Sequence, residues 1–171
     1  MAKAPPAPPR SPAAEQDVGL FLDNQLCFAL YAASLAMTKV YRSLLEPLGL
    51  TYPQYVVMLA LWEHRELSAG GLGERVALDS GTLVPLIRKL KALGLVERQR
   101  SASDDRSVLI SLTPAGMQLR ERAHAVQEQI GCAVQLNPEQ GQALVSSLQS
   151  LRVALLDTAQ ALSPATREAK R

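Results

Sequence analysis

The chain has 171 residues, 47% of them apolar, and a formal charge of +2, which is enough apolar matter for one compact core and too little charge to announce a nucleic-acid partner unless the cations are concentrated. Its two cysteines, Cys27 and Cys132, form neither a disulfide framework nor a zinc-type spacing, so no structural metal and no cofactor are expected. No stretch approaches the roughly 18 apolar residues of a membrane span, and the N-terminus lacks the apolar run of a secretory leader, so the expectation is a soluble cytoplasmic protein with no membrane partner.

Residues 1–16, MAKAPPAPPRSPAAEQ, contain five prolines and read as a disordered tail, since such a composition buries too little surface to offset chain entropy. From Asp17 to about Leu45, apolar residues Leu22, Leu26, Leu30, Ala33 and Met37 recur at steps of three and four, which predicts an amphipathic helix. Pro47 and Gly49 stop it. Thr51 and Gln54, with Pro53 between them, have the form of a capping box that opens a second helix to about His64. Ser68 caps a short third helix through Val76, weakened by Gly70, Gly71 and Gly73. Asp79 or Ser80 then caps a fourth helix over 80–92, with Pro85 close to its start and Gly94 at its end.

Two alternating runs, Leu95 to Arg100 and Ser107 to Leu112, flank the polar RSASDD and predict a hairpin. Thr113 and Pro114 begin a long helix to about Gln135. Asn137, Pro138 and Gln140 open a last one to about Ala161. The predicted fold is mainly α with a small β-hairpin wing: a winged helix-turn-helix over 17–161, with a DNA-binding core at 51–113, dimerisation helices at 17–46 and 114–161, and a flexible tail at 162–171.

The cations are concentrated where such a fold would read DNA. Between Ser80 and Arg106 stand six basic residues (Arg88, Lys89, Lys91, Arg98, Arg100, Arg106) and three acidic ones, a local balance of +3 that leaves -1 for the rest of the chain. A charge run alone is more often a solvated helix face, but here it lies on one helix and the adjoining hairpin, the footprint of a duplex reader. Ser80, Gly81, Thr82 and Val84 are short enough to approach base edges or phosphates, and Arg106 is placed for a minor groove. Asp104 braces an arginine, because a carboxylate facing phosphate is repelled. One module reads few base pairs, so a homodimer on a palindromic double-stranded operator is expected.

The run LDSGTLVPLIRKLKALGLVERQRSASDDRSVLISLTPAG resembles the DNA-binding core of the MarR family of bacterial repressors. LDNQLCFALYAAS and LTYPQYVVMLALWE are similar to the organic hydroperoxide resistance regulators within it, over about residues 20 to 157. That resemblance implies a redox-sensing repressor. Cys27 matches the peroxide-sensing thiolate, Tyr41 and Tyr52 its hydrogen-bonding tyrosines, and Cys132 the resolving cysteine of the two-cysteine subclass. It further implies oxidation of Cys27 to sulfenic acid by an organic hydroperoxide, then an intersubunit disulfide with Cys132 and release of DNA. Val84 departs from the pattern, in which a hydroxyl residue is frequent.

Sensing requires something that stabilises negative charge on sulfur. Asp23 lies one turn before Cys27 and opposes it. The nearest base, Lys39, is twelve positions on, and a helix beginning near Asp17 would put its positive end about 15 Å away. A donor distant in sequence is therefore required, and tyrosine hydroxyls are suitable, because hydrogen bonds to the charged form lower a pKa without adding a formal charge. On one straight helix Cys27 and Tyr41 would stand about 21 Å apart, so their meeting needs a partner subunit or a broken helix. We infer an interface pocket, in which Tyr31, one turn after Cys27, is either a third polar wall or a core residue. Without these neighbours, Cys27 and Cys132 would be ordinary packing residues. His64 and His124 have no ligand-spaced partners and fit the surface, and Tyr55 and Trp62 fit a core or an interface.

Two rivals remain at this level. In one, a MarR-type repressor is released by reversible binding of an aromatic small molecule, with the cysteines uninvolved. The other is a thiol peroxidase, against which Asn24, Gln25 and Leu26 precede the cysteine in place of a T-x-x-C motif. The sequence therefore points to a regulator and not to an enzyme.

Overall fold

The computed structural model describes residues 18–100 and 108–162. Short 3-10 turns at Val18–Leu20 and Leu22–Asn24 lead into α1 (Leu26–Leu45), and a third such turn at Glu46–Leu48 follows it. Then come α2 (Tyr52–His64), β1 (Glu66–Ser68), α3 (Ala69–Val76), α4 (Ser80–Ala92), β2 (Val96–Arg100), β3 (Val108–Leu112), α5 (Pro114–Val134) and α6 (Pro138–Leu162). This is a winged helix-turn-helix with the expected helix order. The chain splits into two units after Ala123, inside α5.

Local chemistry sets most helix starts. The Thr51 amide donates to Gln54 Oε1 at 2.8 Å and its hydroxyl at 3.0 Å, before α2. Ser68 Oγ accepts the Gly71 amide at 3.0 Å. Thr113 Oγ1 accepts the Gly116 amide at 3.0 Å while donating to the Gly94 carbonyl at 2.6 Å, which ties the start of α5 to the end of α4. Asn137 and Gln140 exchange bonds of 3.1 and 2.8 Å in a reciprocal capping box.

Three expectations need correction. The first helix begins at Leu26, nine residues after Asp17. Ahead of it the chain turns at Asp23 and Asn24, and the Gln25 side-chain amide donates to the carbonyls of Gly19 and Phe21, which holds those residues in turns. The wing sheet has three strands, ordered β1-β3-β2 and antiparallel, because Leu67 pairs with Ile110 on the opposite side of β3 from β2. Pro85 does not mark a helix start but is the sixth residue of α4. It removes the amide that the Gly81 carbonyl would use, a defect made tolerable by the exposure of Gly81 to water and by the buried Leu83, Ile87 and Leu90 that anchor both sides. The Pro-rich segment 1–16 and the segment 163–171 lie outside the described residues.

The core of the first unit is sealed by Leu45, Tyr55, Val57, Met58, Leu61, Leu72 and Leu90, each 0% exposed. At the turn between α3 and α4, a Cβ on Gly73 would sit 2.9 Å from the Leu78 carbonyl oxygen, so glycine is what permits the close crossing. Gly116 is tighter still: a Cβ there would lie 2.1 Å from the Leu95 carbonyl oxygen. Its own carbonyl accepts the Trp62 indole N–H at 2.8 Å. This joint fixes α2, β2 and the start of α5 together. The second unit differs: α6 buries no residue, and Leu144, Val145, Leu148, Val153, Leu155, Leu156 and Leu162 are all exposed. Among the described residues, no helix is long and apolar enough to cross a membrane, and no cluster of three or more His, Cys, Asp or Glu could hold a metal.

Candidate nucleic-acid interface and thiol site

The N-terminus of α4 is capped by Asp79, whose Oδ1 accepts the Thr82 amide and Oδ2 the Thr82 hydroxyl, both at 2.9 Å. These bonds hold its carboxyl below the usual aspartate range. An ionised carboxylate thus occupies the positive end of the helix, the place a phosphate would otherwise take. Thr82 has its donors committed there. Ser80, Gly81, Val84, Arg88 and Lys89 are exposed along the same helix, while Leu83, Ile87 and Leu90 hold its other face in the core.

The structure joins α4 to the wing more closely than spacing suggested. A cleft of about 290 Å³ is walled by Arg88, Lys91 and Arg98 over an apolar floor that includes Val84, Ile87 and Ile110. Lys91 and Arg98 were visible as charges but not as members of this surface. Arg88 and Lys91 are one turn apart on one flank of α4, and the pairing of Arg98 with Ile110 across the wing brings the third cation alongside. Among the described residues, no carboxylate lies within ion-pair distance of these three. Arg100 ends β2, and Asp104 and Arg106 lie outside the described residues.

The thiol site is assembled only in part. Cys27 is exposed and is the second residue of α1, so it sits in the first helical turn, not remote from the helix start as the sequence had indicated. Tyr31, one turn on, is also exposed. At the far end of the helix, Tyr41 is buried, with its ring centroid 4.5 Å from Tyr52 and 5.8 Å from Tyr55. Burial first, then the neighbouring phenols, pushes the Tyr41 hydroxyl up from 10.0 to about 12. It therefore remains a protonated donor far above neutral pH. The structure brings Tyr41 and Tyr52 together, but α1 is one unbroken helix and keeps Cys27 of the same chain about 21 Å from Tyr41. Cys132 is exposed, near the end of α5 in the second unit. His64 and His124 are exposed, and Tyr55 and Trp62 are core.

Residues 39–123 match the SarA/Rot family of transcriptional regulators. The organic hydroperoxide resistance transcriptional regulator of Bacillus subtilis is 47% identical over 137 residues, which are 80% of this chain and 90% of that protein. AbfR of Staphylococcus epidermidis superposes with a TM-score of 0.70 at 31% identity, over 84% of this chain and 99% of AbfR. AbfR has been solved bound to DNA in its reduced form (TM-score 0.67, 33% identity, 82% and 99% coverage) and in its overoxidized form (TM-score 0.67, 34% identity, 82% and 98%). With its disulfide formed, the TM-score is 0.57 at 32% identity over 81% and 98%. These relatives are regulators, not enzymes. On this identity across four-fifths of its length, the chain belongs to the organic hydroperoxide resistance transcriptional regulators, DNA-binding winged-helix proteins of the MarR and SarA type.

Proposed function

We propose that the chain is a homodimeric, redox-sensing repressor that holds a palindromic operator when reduced and releases it after an organic hydroperoxide oxidises Cys27. The observation that carries this reading is the unbroken α1, with a thiol in its first turn and, at its opposite end, the buried Tyr41 packed against the half-buried Tyr52 of α2. Two antiparallel copies of α1 place each thiol beside the other chain's phenols. The exposed leucines of α6 supply apolar surface for that pairing.

Each group then has a task. Cys27, exposed in the first turn of α1, supplies the reacting sulfur. Tyr41 and Tyr52 of the second copy donate hydrogen bonds to it, which stabilises the anion without adding a formal charge. The sulfur attacks the terminal peroxide oxygen, so that an S–O bond forms, the O–O bond breaks, and the alcohol leaves with a proton. The resulting sulfenic acid condenses with the Cys132 thiol of the other chain, forming S–S and releasing water. A disulfide requires α-carbons within about 7 Å, and the helices move to meet that limit. AbfR is found on DNA when reduced and when overoxidized, and its disulfide form fits this fold less well. This favours the disulfide, rather than oxidation alone, as the releasing step.

On the DNA side, Ser80, Gly81, Thr82 and Val84 face base edges, while Arg88, Lys89, Lys91, Arg98, Arg100 and Arg106 meet phosphates and the minor groove, with Asp104 bracing the wing. The test is operator binding with and without cumene hydroperoxide on wild type, Cys27→Ser and Cys132→Ser, with thiol loss followed in parallel. Wild type is expected to leave DNA on oxidation and Cys27→Ser to stay bound. Cys132→Ser should react but pass to overoxidized states while remaining on DNA. Release of Cys27→Ser by peroxide, or no thiol loss in wild type, overturns the proposal, and the latter outcome would favour a reversible aromatic ligand.

A further inference from the structure

Val84 is the only large aliphatic side chain exposed on α4, with 45% of its surface open, and it belongs to the apolar lining of the cleft walled by Arg88, Lys91 and Arg98. Its surroundings are otherwise committed. Thr82, two residues earlier, has its amide and hydroxyl donors on Asp79. The Asp79 carboxylate keeps a phosphate from the end of α4, so the first two turns of the helix are left to meet base edges. In the major groove, each base pair presents hydrogen-bonding groups, but only thymine presents an apolar one, its C5 methyl. A valine has no polar atom with which to read anything else, and its branched Cβ holds its two methyls in one preferred rotamer on a helix.

We infer that Val84 is a specificity-determining residue that reads a thymine methyl, one per operator half-site. This rests on the reading above, in which α4 enters the major groove. The flanking cations seat the helix on phosphates on either side, and the two valine methyls close over the thymine methyl and exclude water. A hydroxyl residue at this position would lose part of that contact and gain a donor, so operators of relatives that carry one need not share the thymine.

The test begins with duplexes selected from a random library by the reduced protein. Each thymine in the selected site is replaced singly by deoxyuridine, which removes only the methyl, and binding is measured for wild type, Val84→Ala and Arg88→Ala. Val84 is exposed, so the alanine variant folds. In wild type, one position per half-site should lose about fourfold, the effect of burying one methyl, and about fifteenfold when both half-sites are changed. Val84→Ala should be insensitive at that position alone. 5-Methylcytosine there should bind wild type more tightly than cytosine and Val84→Ala equally. If wild type and Val84→Ala respond alike at every thymine, the inference fails and the DNA-reading face stands. If Arg88→Ala binds like wild type, or no duplex is selected, α4 is not the reading helix and both fail.

Discussion

The winged-helix unit and α6 treat their apolar residues in opposite ways. Around Tyr55, Val57 and Leu61 the chain closes completely on itself, whereas α6 carries leucines at positions 144, 148, 151 and 155, at steps of four and three, with Leu162 two turns further on, and buries none of them. The first region is a finished core, and the second is an amphipathic face left uncovered among the described residues. The thiol site follows the same division. Its tyrosine pair belongs to the finished part, and its cysteine lies exposed on α1, among outward-facing Leu26, Tyr31 and Leu35. What one chain completes is the winged-helix lobe; what it leaves open is the proposed thiol site.

The sharpest way to break this contrast is to poison the unfinished surface. Leu148→Glu with Leu155→Glu should separate the two copies and weaken operator binding roughly a thousandfold, as two linked half-site contacts become independent. Circular dichroism of the winged-helix lobe should be unchanged. A dimer that survives in sedimentation would remove α6 from the interface. Conversely, Gly116→Ala strikes the finished core, where the added Cβ meets the Leu95 carbonyl. It should destabilise the fold by about 3 kcal/mol in urea titrations. Arg88→Ala should leave stability unaltered and weaken DNA binding about tenfold, with the salt-dependence slope reduced by about two, one for each half-site.

Tyr41 provides the smallest effect and tests the burial of its hydroxyl. Its ionisation is raised from 10.0 to about 12 in the folded chain. Below pH 10 both folded and unfolded states hold the proton, and the full stabilising contribution is present. Between pH 10 and about 12 the unfolded chain ionises first, so stability falls as pH rises. Tyr41→Phe should flatten that part of the pH dependence of the urea midpoint. An identical profile for the two proteins would place the Tyr41 hydroxyl in water.

The helix caps were legible because each is a bargain struck within four residues: Thr51 with Gln54, Asp79 with Thr82, Asn137 with Gln140. The start of α1 was not, since Leu22 and Leu26 keep helical spacing straight through a turn that only Asp23, Asn24 and Gln25 betray. β1 is three residues whose partners, Leu109 to Ser111, lie more than forty positions away, and no local pattern signals such a ladder. The same limit applied to function. Spacing located the basic cluster, but the cleft that unites Arg88, Lys91 and Arg98 depends on strand pairing. The contact between Tyr41 and Tyr52 spans the turn at Pro47 and Gly49, and family likeness, not periodicity, singled the two out. Misplacing the start of α1 also hid the position of Cys27 in the first turn of a helix.

The central claim is that each Cys27 is activated by tyrosines of the other copy, and mixed dimers test it directly. In a dimer of Cys27→Ser with Tyr41→Phe, the one intact Cys27 belongs to the chain lacking Tyr41 and faces an intact Tyr41 across the interface. Its reaction with cumene hydroperoxide should match the wild-type rate per thiol, whereas wild type mixed with the double variant Cys27→Ser/Tyr41→Phe should react slowly. The reverse order of rates would show that cysteine and tyrosine act within one chain, and would contradict the account.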